Sequence, residues 1–177
     1  MLQWGVPILP AVRDPRLITV RRGGTLTDEH HRLLAEWAIT CAEHVLHLYE
    51  REATDDPRPV QALEVARSWV RGEVPMKTAH RASFAANAAG RDLPAQAKFA
   101  ALSAGQAVAV AHVAAHDLGA AAYAIRAAEA ASDPDVAEAA RLRERDWQRS
   151  QVPKALLPLV LDDQRQRNDI CWGVFGD

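Results

Sequence analysis

Between Thr25 and Arg51 the apolar positions Leu33, Leu34, Trp37, Cys41, Val45 and Leu48 recur every three or four residues, the repeat of one buried helical face. Thr25 or Thr27 precedes Asp28 and Glu29 and offers a side-chain cap with acids in the first turn, so a helix of roughly 22 residues is predicted here. Asp55-Asp56-Pro57 then supplies a link and a cap, and PVQALEVARSWVRG repeats the pattern through Leu63, Ala66, Trp69 and Val70 up to Gly72. A third helix starts at Pro75, runs through MKTAHRASFAANAA and closes at Gly90 and Pro94.

The stretch from Ala95 to Ser132 is too long for one ordinary helix, so a break or kink near Gly105 is expected. Asp133-Pro134 caps a strongly polar helix, DVAEAARLRERDWQRS, whose Val136, Ala140 and Trp147 are expected to face inward. From Pro153 onward KALLPLVLDDQRQRNDICWGVF starts once more, with Pro158 placed to end or kink it.

The beginning of the chain reads differently. Pro7, Pro10 and Pro15 interrupt it, and RLITVRR alternates up to Gly23-Gly24, which makes it the best strand candidate, with QWGVPIL as its prospective partner. The expected fold is therefore all-α: a single-domain antiparallel bundle or array of about six or seven helices. Residues 1–24 would form an extended or β-hairpin arm and residues 25–177 the helical domain. Composition agrees, with 35 alanines in 177 residues favouring helix over strand.

Charge narrows the partners. The formal net charge is −2, so no overall basic field marks the chain for nucleic acid or an anionic membrane, although Arg13, Arg16, Arg21 and Arg22 make the arm locally basic. No run of about 18 strongly apolar residues occurs, and the chain opens without a basic leader before an apolar segment. A cytoplasmic protein with both Cys41 and Cys171 reduced is expected.

The candidate chemistry centres on HVAAHD. If the segment is helical, His112 and His116 stand one above the other and could share a transition metal such as zinc, for which Cys41 and His44 in CAEH would supply the missing ligands. The competing reading makes these histidines part of the core, their ring nitrogens satisfied by carboxylates or carbonyls, with Asp117 reaching a neighbouring group or a partner. A Cys41–His44 nucleophile pair would lack backbone donors in mid-helix, and no phosphate-binding glycine loop or nucleophile elbow is present. Trp37, Trp69 and Trp147 fall on apolar stripes and read as core. Trp4 and Trp172 lie near the ends, where Arg165, Arg167 and Asp169 could rim Trp172.

Three segments carry a resemblance: RLITVRRGGTLTDEHHRLLAEWAITCAEHVLHLYE, AGQAVAVAHVAAHDLGAAAYAIRAA and LPLVLDDQRQRNDICWGVF. Their order resembles the bacterial immunity proteins of the immunity protein 5-like domain family over residues 12 to 175, through Arg21, Arg22, Gly23, Gly24, Trp37, Cys41, His44, His112, His116, Arg167, Cys171 and Trp172. The resemblance implies a cytoplasmic helical domain that neutralises a cognate protein toxin by binding, without catalysis and without a cofactor. Arg21, Arg22, Asp117, Arg165, Arg167 and Trp172 are the candidates for forming or shaping its binding surface. The alternatives are a metal-dependent enzyme or sensor using Cys41, His44, His112 and His116, and a homodimeric accessory or scaffold protein.

Overall fold

A computed structural model describes residues 8–177. The described residues form seven α-helices: α1 (Asp28–Glu50), α2 (Arg58–Val70), α3 (Met76–Ala89), α4 (Ala95–Ala109), α5 (Asp117–Ala130), α6 (Ala137–Ser150) and α7 (Leu157–Arg167). The Thr27 hydroxyl accepts a 3.1 Å hydrogen bond from the His30 N–H and starts α1. The Asp56 carboxylate receives both the backbone N–H and the guanidinium of Arg58 at the start of α2. These caps and the proline and glycine breaks set the helix ends close to where the polar pattern predicts them.

Helices α4 and α5 occupy the middle. The α4 helix packs on α1, α2, α3 and α5, while α5 packs on α1, α4 and α6. Both are lined with small side chains: Ala97, Ala100, Ala101 and Ala104 of α4 are buried, as are Ala120, Ala121, Ala122 and Ala124 of α5. Alanine costs no side-chain entropy in a helix and lets neighbouring backbones approach, so many thin contacts replace a few bulky ones. Gly105 belongs to this packing. A Cβ there would sit 1.9 Å from the Asn87 side-chain oxygen on α3, so the residue expected to break the helix instead admits a neighbour into it. The larger core side chains come from α1 and α2, with Trp37, Tyr49, Leu34 and Leu63 fully or almost fully buried. Trp37 also donates its indole N–H to the Gln148 carbonyl at 2.9 Å, tying α1 to α6.

The break falls later, between Val110 and Val113. Val113 is extended at φ −138° and ψ 114°, and the Asp117 carboxylate accepts the Leu118 N–H at 2.6 Å as α5 begins. Valines at 108, 110 and 113 weaken the helix locally while Asp117 starts another. His112 therefore lies in a turn and His116 in a 3-10 turn, and the one-above-the-other arrangement expected of an unbroken helix does not exist.

The arm also departs from expectation. Leu17–Arg22 forms no strand: Pro15–Leu17 and Val20–Arg22 are 3-10 turns, joined to the helical body by an isolated parallel bridge between Thr19 and Leu26. Proline fixes the first turn, and Gly23 closes the second at φ 88°. Residues 3–7 of the proposed partner strand, with Trp4, lie outside the described residues. Buried Ile8, Leu17 and Leu26 join the common core, so residues 8–26 form a packed hook.

On α6 the buried face is polar. Val136 is 48% exposed and Trp147 only half-buried, whereas Arg141, Glu144, Arg145 and Gln148 are buried with Ala140. The C-terminal segment satisfies the arginines, since Arg141 donates to the Val174 and Gly176 carbonyls at 2.7 and 2.9 Å, and Arg149 to the Phe175 carbonyl at 2.9 Å.

Candidate functional site

The four expected metal ligands are dispersed. Cys41 is fully buried, and burial, followed by the charges of Glu144 and Asp117, pushes its thiol well above the usual range. His44, three residues further along α1, is exposed: its Nδ1 meets Glu144 Oε2 at 2.8 Å, and its ring stacks on Trp147 with centroids 3.6 Å apart. His112 stacks on His80 of α3 at 4.3 Å. His116 pairs its Nδ1 with Gln106 Oε1 at 2.7 Å, and is pushed down to about 4 by burial and then by the charges of His112 and Arg167. Among the described residues no three His, Cys, Asp or Glu side chains are grouped to hold a metal ion. These residues do not fit the proposed Cys/His centre, because the helix break takes His112 and His116 out of helical register, Cys41 is enclosed in the core, and His44 is exposed and spends its Nδ1 on Glu144.

Asp117 and Arg167 are interior residues. Arg167 is ion-paired with Asp163, lies 3.5 Å from Asp117 and donates to the Ala115 carbonyl at 2.9 Å and the Ile8 carbonyl at 3.3 Å. It thereby fastens α7 to the His112–His116 turn and to the arm. Arg165 is exposed beside Asp162. Trp172, half-buried in the left-handed conformation at φ 59°, packs on Tyr123 and on the guanidinium of Arg126, which lies 4.3 Å above its ring. Arg126 also covers Phe99 at 4.1 Å, so an internal arginine, rather than Arg165 or Arg167, accompanies Trp172.

A cleft opens where the hook meets the helices. Arg13, Arg21 and Arg22 line one side, His31 of α1 and Trp69 of α2 another, and His112 with its neighbouring turn residues a third; the cavity measures about 350 Å³. Its chemistry is cationic. No carboxylate lines it among the described residues, and the nearby carboxylate of Asp28 is taken by Arg21 at 2.9 Å. Arg13 and Arg22 form no ion pair among the described residues. His31 donates its Nε2–H to the Val110 carbonyl at 2.6 Å and stands 4.9 Å from the Trp69 ring. Burial first, then Arg21 and Arg22, hold His31 below its ordinary value, against the opposing Val110 bond and Asp28. His112 is likewise lowered by burial, then by His80, Arg22 and Arg13.

Apolar side chains stand around this opening. Val12 and Val20 are 86% and 61% exposed on the hook, and Phe84 is 62% exposed on α3. Phe84 reaches the cleft through His80, its ring tilted against that imidazole at 5.0 Å, and His80 in turn stacks on His112. The face thus runs from the hook across the cleft to α3. Its Arg21, Arg22 and His112 were legible as candidates, whereas His31 and His80 carried no local motif and Trp69 read only as core.

Residues 24–155 match the family described as Imm-5 like putative immunity protein, and the chain belongs to that family. The match spans α1 to α6 and is narrower than the resemblance over residues 12 to 175, stopping short of most of the hook and of α7. No curated protein and no solved structure matches the chain. Among the described residues no helix is long and apolar enough to cross a membrane.

Proposed function

We propose that this chain is a cytoplasmic immunity protein that neutralises a cognate protein toxin by binding it through the face around the hook, without doing chemistry on it. In this reading residues 1–24 are the recognition arm and residues 25–177 the immunity protein 5-like domain that holds it. One observation carries the choice of face: strongly exposed Val12 and Val20 alternate with Arg13, Arg21 and Arg22 beside a cleft that continues to exposed Phe84. Apolar anchors within a cationic rim suit an acidic partner surface, where the apolar contact gives affinity and the charge guides encounter.

The partner is sought by co-expression with polymorphic toxins from the neighbouring genes of its source, scoring growth and then direct binding with purified proteins. Wild type should restore growth and form a stoichiometric complex. Charge reversal by Arg13→Glu with Arg22→Glu should slow association at least about tenfold while helicity is unchanged. Unaltered association and protection in that variant would rule out this face.

A further inference from the structure

We propose that the cleft between the hook and the turn joining α4 to α5 is a binding site for a small dianion of the phosphate class, held by Arg13 and Arg22 with His112 as a third donor. The site lies inside the face assigned to the toxin but does not depend on that assignment.

Charge balance points to the ligand. Three guanidinium groups line the cleft, and one of them, Arg21, is matched by Asp28. Arg13 and Arg22 remain without a carboxylate partner among the described residues, and residues 1–7, MLQWGVP, contain no Asp or Glu side chain to bring one. A cationic cleft without carboxylates repels a divalent cation. A single carboxylate would balance one guanidinium, whereas a phosphate dianion balances both and offers the oxygens that guanidinium forks bind in pairs. A volume of about 350 Å³ exceeds that of bare phosphate, so the cleft admits an ester whose substituent rests near half-buried Trp69.

His112 completes the donor set. Its Nδ1 is buried and has no hydrogen-bond partner among the described residues. A buried N–H without a partner is the costlier arrangement, which assigns the ring proton to Nε2 and leaves that nitrogen as a donor. The charged or titratable groups around it are Arg13 and Arg22 from the hook, His80 from α3, His31 across the cleft and His116 from the following turn. A bound dianion cancels the field of the two arginines at this ring.

The test is a titration of tag-free full-length protein in phosphate-free, low-salt buffer with inorganic phosphate and with phenyl phosphate. It is followed by NMR signals of the His112 imidazole and the Trp69 indole, with sodium chloride at matched ionic strength as the control. Saturable shifts at one site are expected, with the pKa of His112 rising on binding and phenyl phosphate moving the Trp69 signal further than phosphate does. Arg13→Ala and Arg22→Ala should each weaken binding at least about tenfold, the loss of a charged hydrogen-bonding partner. Both arginines are exposed, so these variants keep their helical circular dichroism, and Arg143→Ala, beside the His44–Trp147 stack, should bind as wild type does. Shifts that fail to saturate, that sodium chloride reproduces, or that survive in Arg13→Ala/Arg22→Ala overturn the proposal. No toxin enters the titration, so a negative result leaves the toxin reading standing, and phosphate binding without toxin protection defeats that reading alone.

Discussion

Arg167 and Asp163, one helical turn apart at the end of α7, form an ion pair with both side chains buried. The same guanidinium reaches the Ala115 carbonyl and stands beside Asp117, so one residue pairs with one interior carboxylate, faces a second and satisfies the turn that carries His112. Arg167→Met should cost about 3 to 5 kcal/mol, because it leaves buried charge uncompensated. Adding Asp117→Asn and Asp163→Asn should recover most of that loss. Urea unfolding of the three proteins checks it, and a single variant as stable as wild type would show that the cluster holds nothing in place.

Asp117 and His116 are adjacent and respond to pH in opposite senses. Burial and then Asp163 raise the pKa of Asp117, so its contribution favours folding at low pH and is lost as pH climbs from about 4, the ordinary aspartate value. His116 is pushed down to about 4, chiefly by burial, so its contribution is present above the unfolded value of about 6.5 and is lost as pH falls through the interval toward 4. The two partly cancel between these limits. Asp117→Asn should therefore steepen the acid loss of stability, and His116→Asn, which keeps a donor for Gln106, should flatten it. Denaturant midpoints measured across this range for wild type and both variants decide the matter; parallel profiles would contradict both assignments.

Helix positions were readable because their causes are local: Thr27 and Asp56 cap, Pro75 and Pro94 start, and Gly72 and Gly90 stop. Two kinds of feature were not. The valines and Asp117 that break HVAAHD compete with a strong alanine background, and packing decides the outcome. The polar face of α6 is buried only because the C-terminal carbonyls reach Arg141 and Arg149 across more than twenty residues, which periodicity cannot express. The cleft has the same character. Arg13 and Arg22 read as a basic patch, but only the fold brings them to His112 and Trp69, and only the packing of α6 encloses Cys41 while leaving neighbouring His44 exposed beside Glu144 and Trp147.

The thiols offer a separate check on the interior. Cys41 is fully buried with its thiol well above the usual range, and Cys171 is buried and pushed up to about 12, in both cases chiefly by burial. Few thiolates and no access mean that neither should react with Ellman's reagent at mildly alkaline pH in the native state. Both should react fully in denaturant, and slow reaction in the native state should follow global opening. A rapid native phase from either cysteine would place that part of the core in solvent.

The hook can be tested without touching a charge. Gly24 lies where the chain folds back: a Cβ there would sit 2.1 Å from the Ile18 carbonyl oxygen and 2.5 Å from that of Pro15. Neither backbone atom can yield easily, since Leu26 donates to the Ile18 carbonyl at 2.9 Å and Thr25 to the Pro15 carbonyl at 2.9 Å. Gly24→Ala should therefore unfasten residues 14–26 and cost about 1 to 3 kcal/mol, the range of overpacking in a closed site. The seven helices do not pass through this contact and should retain their circular dichroism. If Arg13, Arg21 and Arg22 act through the geometry of the hook, Gly24→Ala will lose phosphate and toxin binding together although every arginine is present. Retention of both activities would mean that these arginines act as unpositioned charge, and the salt dependence of the remaining binding would then account for all of its strength.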